Sequence, residues 1–595
     1  MSRVYEKSIS AKFKNYFCSV NDLTGPFTEY SIDHKEPIRS LEKKYKPWET
    51  GRAGVPLAWD GKRNSTFVDH TDTHTLVVGP TGSKKSRLVV MPLVRILGST
   101  GESMIISDPK AEIYNRTAGF LSGKGYNIYV LNLRSPMHGQ RWNPLIIPYQ
   151  FYLSGEIDKA YEFANDIAEN LIQVNKSGTD PFWDTSAGSF FFGLTILLFK
   201  YCKENDLNSK YISIANIIEL RNQLISGSYK TNALWEYAKS DAIIRSALIG
   251  TVETAEVTRG GILSVFDQKM RMFSIQPNLQ DMLGGNDFDL NKIGTSSTAI
   301  FLIVPDEKTG YHGLVSLFIK QSYEYMIYNA QLQAKHDGLH TAVLKNRVNY
   351  ILDEFSSLPT IQDFPAMITA ARSRNIRFTL IIQSKHQLLQ RYHDETETIQ
   401  TNCNNWIFLT SRELQFLEEV SALCGKTMGD NPQPIVTVSD LQRLDKDAGE
   451  AVLLCGRSKP CITKLADIEV YDKNHYNPLP LSIRESKPPV ILENIAAKIK
   501  EQRKNMFFSD NSFRENQMND IRSWFETDKP QEGKEKKQEE SPRTDKTRKD
   551  SLENAFRSLL EIDKSQEEKD KKQEESSKTD KTNKGSMDKE YKEEE

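Results

Sequence analysis

The stretch Leu76–Ser86, Leu-Val-Val-Gly-Pro-Thr-Gly-Ser-Lys-Lys-Ser, constrains the fold more than any other part of the chain. Leu76, Val77 and Val78 read as a short buried strand, and Gly79, Pro80, Thr81 and Gly82 break it. Beyond Ser83, Lys84, Lys85 and Ser86, the apolar residues of Arg-Leu-Val-Val-Met-Pro-Leu-Val-Arg-Ile-Leu recur at helical spacing, with Pro92 as a tolerated kink. Strand, glycine loop, Lys-Ser and helix, in that order, make a P-loop. There the loop N–H groups and the helix N-terminus hold phosphate, Lys85 reaches the β/γ oxygens and Ser86 holds Mg²⁺. One position departs from the pattern, which has Gly where this chain has Lys84. If the backbone there takes a positive φ, a side chain costs roughly 1–2 kcal/mol. An ordinary strand–turn–helix fits the same letters, so the rest of the chain has to decide.

A length of 595 residues points to several domains. With 78 Lys+Arg against 80 Asp+Glu there is no global basic field, so any nucleic-acid contact must be local. The 6 cysteines form no C-x-x-C pair, which suits buried thiols in a reducing compartment rather than disulfides or zinc. No signal-peptide core opens the chain. The greasiest run, Phe190–Phe199, falls short of the about twenty residues a bilayer span needs. It reads as a buried core helix in a chain without a membrane span.

Residues 1–70 are polar and aromatic, with turns and short strands near Gly51–Gly61 and Thr66–Asp69. His74 could sit near a nucleotide base or be a satisfied surface residue. A second strand, Ser103–Ser107, ends in Asp108-Pro109-Lys110 with Glu112 just beyond, and polar residues at that end of an α/β strand point into the ligand crevice. Tyr126–Asn132 reads as a third strand. From Phe151 to Arg259 helical periodicity dominates, as in Asp158–Val174, Trp183–Lys203 and Ile212–Ser226. The strand pattern then returns at Ser297–Val304. Val348-Asn-Tyr-Ile-Leu-Asp-Glu-Phe is an apolar strand ending in adjacent acids, the form of a Walker B element. Asp353 would hold Mg²⁺ and Glu354 would polarise the attacking water. Phe378–Ile382 is another buried strand, and Gln383 at its end can sense a γ-phosphate. Arg372 and Arg374, just before it, are candidates for a finger reaching a neighbour's nucleotide. Trp406–Thr410 reads as a further strand and Ala451–Leu454 as an edge strand.

Together these stretches resemble the type IV secretion coupling proteins, the TraG/TraD-like conjugative ATPases. The resemblance runs from about Gly51 to Lys464 and rests on Gly-Pro-Thr-Gly-Ser-x-Lys-Ser (79–86), Asp-Pro-Lys-x-Glu (108–112), Trp-Asn-Pro-Leu (142–145), Phe-Trp-x-x-x-Ala (182–187), Asp-Glu-Phe (353–355), Ala-Arg-Ser-Arg (371–374) and Gln-Ser-x-x-Gln-Leu (383–388). It implies a RecA-like P-loop NTPase domain with an inserted all-α domain, and a cytoplasmic ring of subunits, hexameric in the family. It also implies ATP-driven handling of single-stranded DNA with its attached relaxase, or other secreted cargo, at a type IV secretion channel. Family members usually begin with transmembrane helices. This sequence shows none, so a peripheral position at the inner face of the cell membrane would need a membrane partner. The other departure, Lys84, puts an extra cation beside the phosphates, where it can favour binding while hindering release.

The expected organisation is an N-terminal extension (1–50), a nucleotide-binding α/β domain in two parts (51–150 and 261–485), the all-α insertion (151–260), a helical linker (486–528) and a disordered charged tail (529–595). The tail is too polar to bury a core of its own. It repeats itself: Ile521-Arg-Ser-Trp-Phe-Glu resembles Phe556-Arg-Ser-Leu-Leu-Glu, and Lys-Lys-Gln-Glu-Glu-Ser recurs. Leu552, Phe556, Leu559 and Leu560 share one helical face behind a Ser551 cap, as in a short docking helix. A duplicated linker without a partner fits the same repeat. Three functions remain open: a coupling ATPase, a non-hydrolysing P-loop adaptor that recruits DNA or protein cargo through the all-α domain and tail, and a double-stranded DNA pump. The pump predicts a C-terminal winged-helix reader, for which the charged tail offers no sequence.

Overall fold

The structure is a computed structural model that describes residues 18–19, 46–47, 51–172, 180–287, 289–305, 307–338, 342–426, 432–456, 460–472 and 476–502. All belong to one compact unit, Met1–Asn505. The repeated tail segments lie outside the described residues, as does most of the N-terminal extension.

The strands are β1 (Cys18–Ser19), β2 (Lys46–Pro47), β3 (Val55–Asp60), β4 (Ser65–Asp69), β5 (Thr75–Val78), β6 (Ser103–Ser107), β7 (Asn127–Asn132), β8 (Thr298–Ile303), β9 (Val348–Leu352), β10 (Ile376–Ile382), β11 (Asn405–Phe408), β12 (Glu450–Cys455) and β13 (Cys461–Lys464). Ten of them form one sheet in the order β1-β13-β12-β11-β5-β10-β9-β6-β8-β7, and β2-β4-β3 form a small separate sheet. From β11 to β7 every neighbouring pair in the large sheet is parallel. Each residue of β5, β6, β8, β9 and β10 is buried, which is why these strands are mostly apolar rather than alternating. Alternation divides them between two cores. Leu76, Val78, Tyr350 and Phe378 face one side, while Val77, Ile106, Ile351 and Ile381 meet the helix Met91–Thr100 on the other. β12 is interior rather than an edge strand, because β13 pairs with its far side.

The helix after the P-loop starts with a π-helical turn, Ser86–Val90, before becoming α-helical at Met91–Thr100. Pro92 has no N–H for an α-helical bond to Leu88, and it stands in the first turn of the α-helical stretch, directly after the wider turn, where a missing N–H is tolerated.

Every element described between β7 and β8 is helical, from Ile146–Ser154 to the short helical turn Leu290–Lys292, although the two strands pair directly with Asn127 beside Thr298. The insertion thus occupies one crossover of the sheet. The expected limits at 151 and 260 fall inside the helices Ile146–Ser154 and Glu256–Ile275. The apolar core passes unbroken from the sheet into the insertion, joining Leu76 and Phe199 in one cluster. Trp-Asn-Pro-Leu fastens this junction. Trp142 packs edge-on against Phe318 at 5.1 Å, Asn143 donates to the Ile212 carbonyl at 2.6 Å, and Gln321 donates to the Pro144 carbonyl at 2.9 Å. The helix Pro181–Glu204 is the one helix among the described residues long and apolar enough to cross a membrane. Here it is the core of the insertion, with Phe190, Phe191 and Phe199 fully buried.

Candidate active site

Three strands of the large sheet end side by side. Val78 of β5 is in register with Ile382 of β10, and Leu380 of β10 with Leu352 of β9. Parallel pairing therefore delivers Gly79, Gln383 and Asp353 to the same edge. β10 lies between the P-loop strand and the strand of the adjacent acids.

The loop is shaped by space at one glycine and by torsion at another. A Cβ on Gly79 would stand 2.4 Å from Ser83 Oγ, whereas Gly82 has open space but a φ of +83°. Lys84 has φ +63°, so the side chain there does carry left-handed strain. Ser83 Oγ donates to the Pro80 carbonyl at 2.8 Å. Lys85 is buried and donates to the Gly79 and Pro80 carbonyls at 2.6 and 3.1 Å. Its burial lowers its pKa, against the pull of Asp353 and Glu354. Ser86 Oγ donates to Asp353 Oδ2 at 3.2 Å, and the Glu354 N–H donates to Asp353 Oδ1 at 3.0 Å. Burial pushes the Asp353 carboxyl up to about 6 although Lys85 opposes the shift. Gln383 closes the network. Its Nε2 donates to Glu354 Oε1 at 3.0 Å, and its Oε1 accepts from Thr81 Oγ1 at 3.0 Å. Glu354 sits at φ +55°, a left-handed position that turns the chain out of β9.

Asp108, Lys110 and Glu112 line the same cleft, as their place after β6 implies. Asp108 accepts the Tyr114 N–H at 2.8 Å, and burial pushes its carboxyl up to about 7. Gln-Ser-x-x-Gln-Leu also resolves into roles: Ser384 caps the helix Lys385–Tyr392, Gln387 accepts from Ser356 at 3.1 Å, and Leu388 is buried.

Ser86 and Asp353 are hard oxygen donors of the kind Mg²⁺ takes, and Asp353 is a buried carboxylate whose charge the chain only partly balances. No group of three or more His, Cys, Asp or Glu residues among the described ones could hold a metal by itself. The donor set therefore fits a cation that completes its shell with water and phosphate.

Arg372 and Arg374 lie outside the cleft. They precede β10 at the sheet edge opposite Gln383, roughly 20 Å away along the strand. Arg372 is exposed and pairs with Asp72 at 3.0 Å, and Arg374 donates to the Ala342 carbonyl at 3.4 Å. His74 is neither beside the cleft nor on the surface. It is fully buried, its Nδ1 accepts the Phe378 N–H at 2.9 Å, and its Nε2 lies 2.8 Å from the Ile368 carbonyl. Two contacts at the rim have no signal in the sequence. Lys84 Nζ pairs with Asp447 at 2.6 Å, and Arg87 pairs with Asp467 and Glu469 at 2.7 and 2.9 Å. Both depend on sheet order, which brings the start of β12 and the end of β13 to the P-loop edge.

The sheet order and the strand-end loop define a P-loop NTPase of RecA-like architecture. A family model described as type IV secretory system conjugative DNA transfer matches residues 31–433. The chain belongs to that family. Two conjugal transfer proteins TraG of Escherichia coli are 22% and 21% identical to it over 383 and 366 residues. These alignments cover 62% and 60% of this chain, and the chain spans 58% and 55% of the length of those relatives. Among solved structures, the plasmid coupling protein TrwB in complex with the non-hydrolysable ATP analogue ADPNP has the same fold. It superposes with a TM-score of 0.50 at 14% identity, covering 70% of this chain and 89% of that one.

Proposed function

We propose that the chain is a conjugative coupling ATPase. It binds ATP with Mg²⁺ in the cleft and uses hydrolysis to move single-stranded DNA, a relaxase–DNA complex or other secreted cargo toward a type IV secretion channel. The observation that carries this reading is the contact series Ser86–Asp353–Glu354–Gln383–Thr81, which joins three strand ends distant in sequence around one glycine loop. Lys85 exchanges the Gly79 and Pro80 carbonyls for β/γ oxygens. Ser86 and Asp353 would hold Mg²⁺, which supplies positive charge to the phosphate oxygens when bound. Glu354 orients the attacking water and takes its proton, and Gln383 links Glu354 to Thr81 so that γ-phosphate is felt at the end of β10. Arg372 and Arg374 cannot serve their own cleft, so their role as fingers belongs to a ring, hexameric by family resemblance, in which Arg372 leaves Asp72 for a neighbour's nucleotide. A membrane or channel component would bring the assembly to the inner face of the cell membrane.

Lys84 favours a second reading, in which the strained loop binds nucleotide without turnover and the chain is an adaptor. Phosphate release by wild type, Lys84→Gly and Glu354→Gln, with and without single-stranded DNA, separates the two. A coupling ATPase shows DNA-stimulated release that Glu354→Gln lowers about 10²- to 10⁴-fold. Nucleotide binding without release in any of the three proteins establishes the adaptor.

A further inference from the structure

We propose that Lys84 is a second phosphate-binding cation of the P-loop, masked by Asp447 while no phosphate is bound, and that competition between Asp447 and phosphate for this ammonium sets how fast nucleoside diphosphate leaves. The inference rests on the nucleotide reading above and adds to it a regulating pair.

Lys84 lines the cleft beside Lys85 and Ser86, with its Nζ 2.6 Å from Asp447 Oδ1. The lysine side chain is 32% exposed and the aspartate 72%, so their contact stands at the mouth of the cleft, open to exchange. The fold builds this pair from both ends. β11 lies beside β5, and antiparallel β12 returns so that the residues before Glu450 reach the edge where Gly79 begins the loop. The turn that carries Asp447 is braced. Asp445 Oδ1 accepts the N–H groups of Asp447 and Ala448 at 2.8 and 3.1 Å, and the Asp445 N–H donates to Glu450 Oε2 at 3.0 Å. Gly449, at φ +71°, presses on the Leu465 carbonyl, where a Cβ would stand only 2.3 Å away. The backbone under Asp447 is thus held, and its carboxylate is the part left to move. On the other side, the left-handed backbone at Lys84 fixes where its side chain starts.

An exposed carboxylate–ammonium pair is worth little in water, so exchanging it is cheap. A polyphosphate in the loop carries more charge than one carboxylate and offers several oxygens to the same ammonium. Nucleotide entry therefore draws Lys84 from Asp447 to phosphate, and Asp447 stands ready to take it back. Without Asp447 the lysine would lose the carboxylate it pairs with, and the diphosphate its direct competitor. Without Lys84 the diphosphate would lose one of its cations.

The test is the dissociation rate of a fluorescent ADP with Mg²⁺, chased with unlabelled ADP, from the full chain as wild type, Asp447→Asn, Lys84→Ala and the double variant. Asp447→Asn is expected to slow release about two- to fivefold, and Lys84→Ala to speed it by a similar factor. The double variant should release at the Lys84→Ala rate. Both side chains are at the surface, and matched melting temperatures check that the variants fold. Faster release from Asp447→Asn would make the pair a brace for the loop and overturn the proposal. An Asp447→Asn effect that persists in the Lys84→Ala background would overturn it too. Binding by wild type with release unmoved by either substitution sinks this inference alone. A wild type that binds no nucleotide sinks the nucleotide reading and this inference together.

Discussion

Asp353 shows how a site of this kind is poised against stability. Its carboxyl titrates near 6 and that of Asp108 near 7, because burial penalises both charges. An unfolded aspartate titrates at about 3.9. Between these values the native chain keeps protons that the unfolded chain has released. The contribution of the two groups to stability therefore falls as pH rises from about 4 to about 7, and is level above. The charge that costs the free protein stability is the one a cation needs. Asp353→Asn removes its share of the cost. Without nucleotide, the variant is expected to melt on the order of 2 °C above wild type at pH 8, with the difference vanishing near pH 4. Thermal scans at the two pH values decide it. Equal melting at pH 8 would mean that the Asp353 charge is already balanced.

At the scale of elements, β10 sets the distance between the P-loop and the paired acids, and His74 pins it. The Phe378 N–H donates to His74 Nδ1, which leaves the Nε2 hydrogen for the Ile368 carbonyl and keeps the ring neutral. Burial depresses the pKa to about 4 from the usual 6.5. This stabilisation is complete above pH 6.5 and fades as pH falls toward 4, opposite in sign to the two aspartates. His74→Leu leaves the Phe378 N–H buried without a partner and takes one from the Ile368 carbonyl, an expected loss of about 1–3 kcal/mol in urea unfolding at pH 7.5. A loss below about 0.5 kcal/mol would show that the strand does not need the pin. Such elements also mark where sequence sufficed. β5, β9 and β10 were legible because strands covered on both faces carry mostly apolar residues, broken here by Asn349, Arg377 and Thr379. Asp353, Glu354 and Gln383 were legible because they lie directly after such strands, with Lys85 and Ser86 following across the glycine loop. Local pattern could not show that β12 is interior, since its other neighbour is decided by where β13 returns. Nor could it place Asp447, which reaches Lys84 only through sheet order. His74 was misread for the same reason: its partners come from β10 and from the helix Phe364–Ala371, both far along the chain.

At the scale of the whole unit, the question is what makes the insertion respond to the sheet. Two fastenings are visible. One is the shared core with its Trp142 joint, and an ion cluster in which Lys320 meets Asp166 of the insertion at 2.8 Å and Asp363 at 3.1 Å. The other is the returning segment 484–502. Arg484 and Ser486 donate to the buried Asp281, at 2.6 and 3.1 Å, as does the Lys487 N–H. Arg484 also donates to the Pro136 carbonyl, on the sheet side of the junction. Asn216 of the insertion then clamps the segment, giving its amide to the Val490 carbonyl and taking the Leu492 N–H, both at 2.8 Å. Ile495 and Ile499 follow into the core. Asp281→Ala would leave the Arg484 guanidinium without its carboxylate, a loss of about 3 kcal/mol if the charge stays buried. Release of the segment is the cheaper response. Hydrogen exchange should then rise at least about tenfold in the helix Ile214–Ile225, which the segment covers, while β5, β9 and β10 keep wild-type protection. Exchange that rises equally in those strands would mean that sheet and insertion open as one body, with the shared core alone as their coupling. Exchange unchanged everywhere would mean that Asn216 and the two isoleucines hold the segment without Asp281.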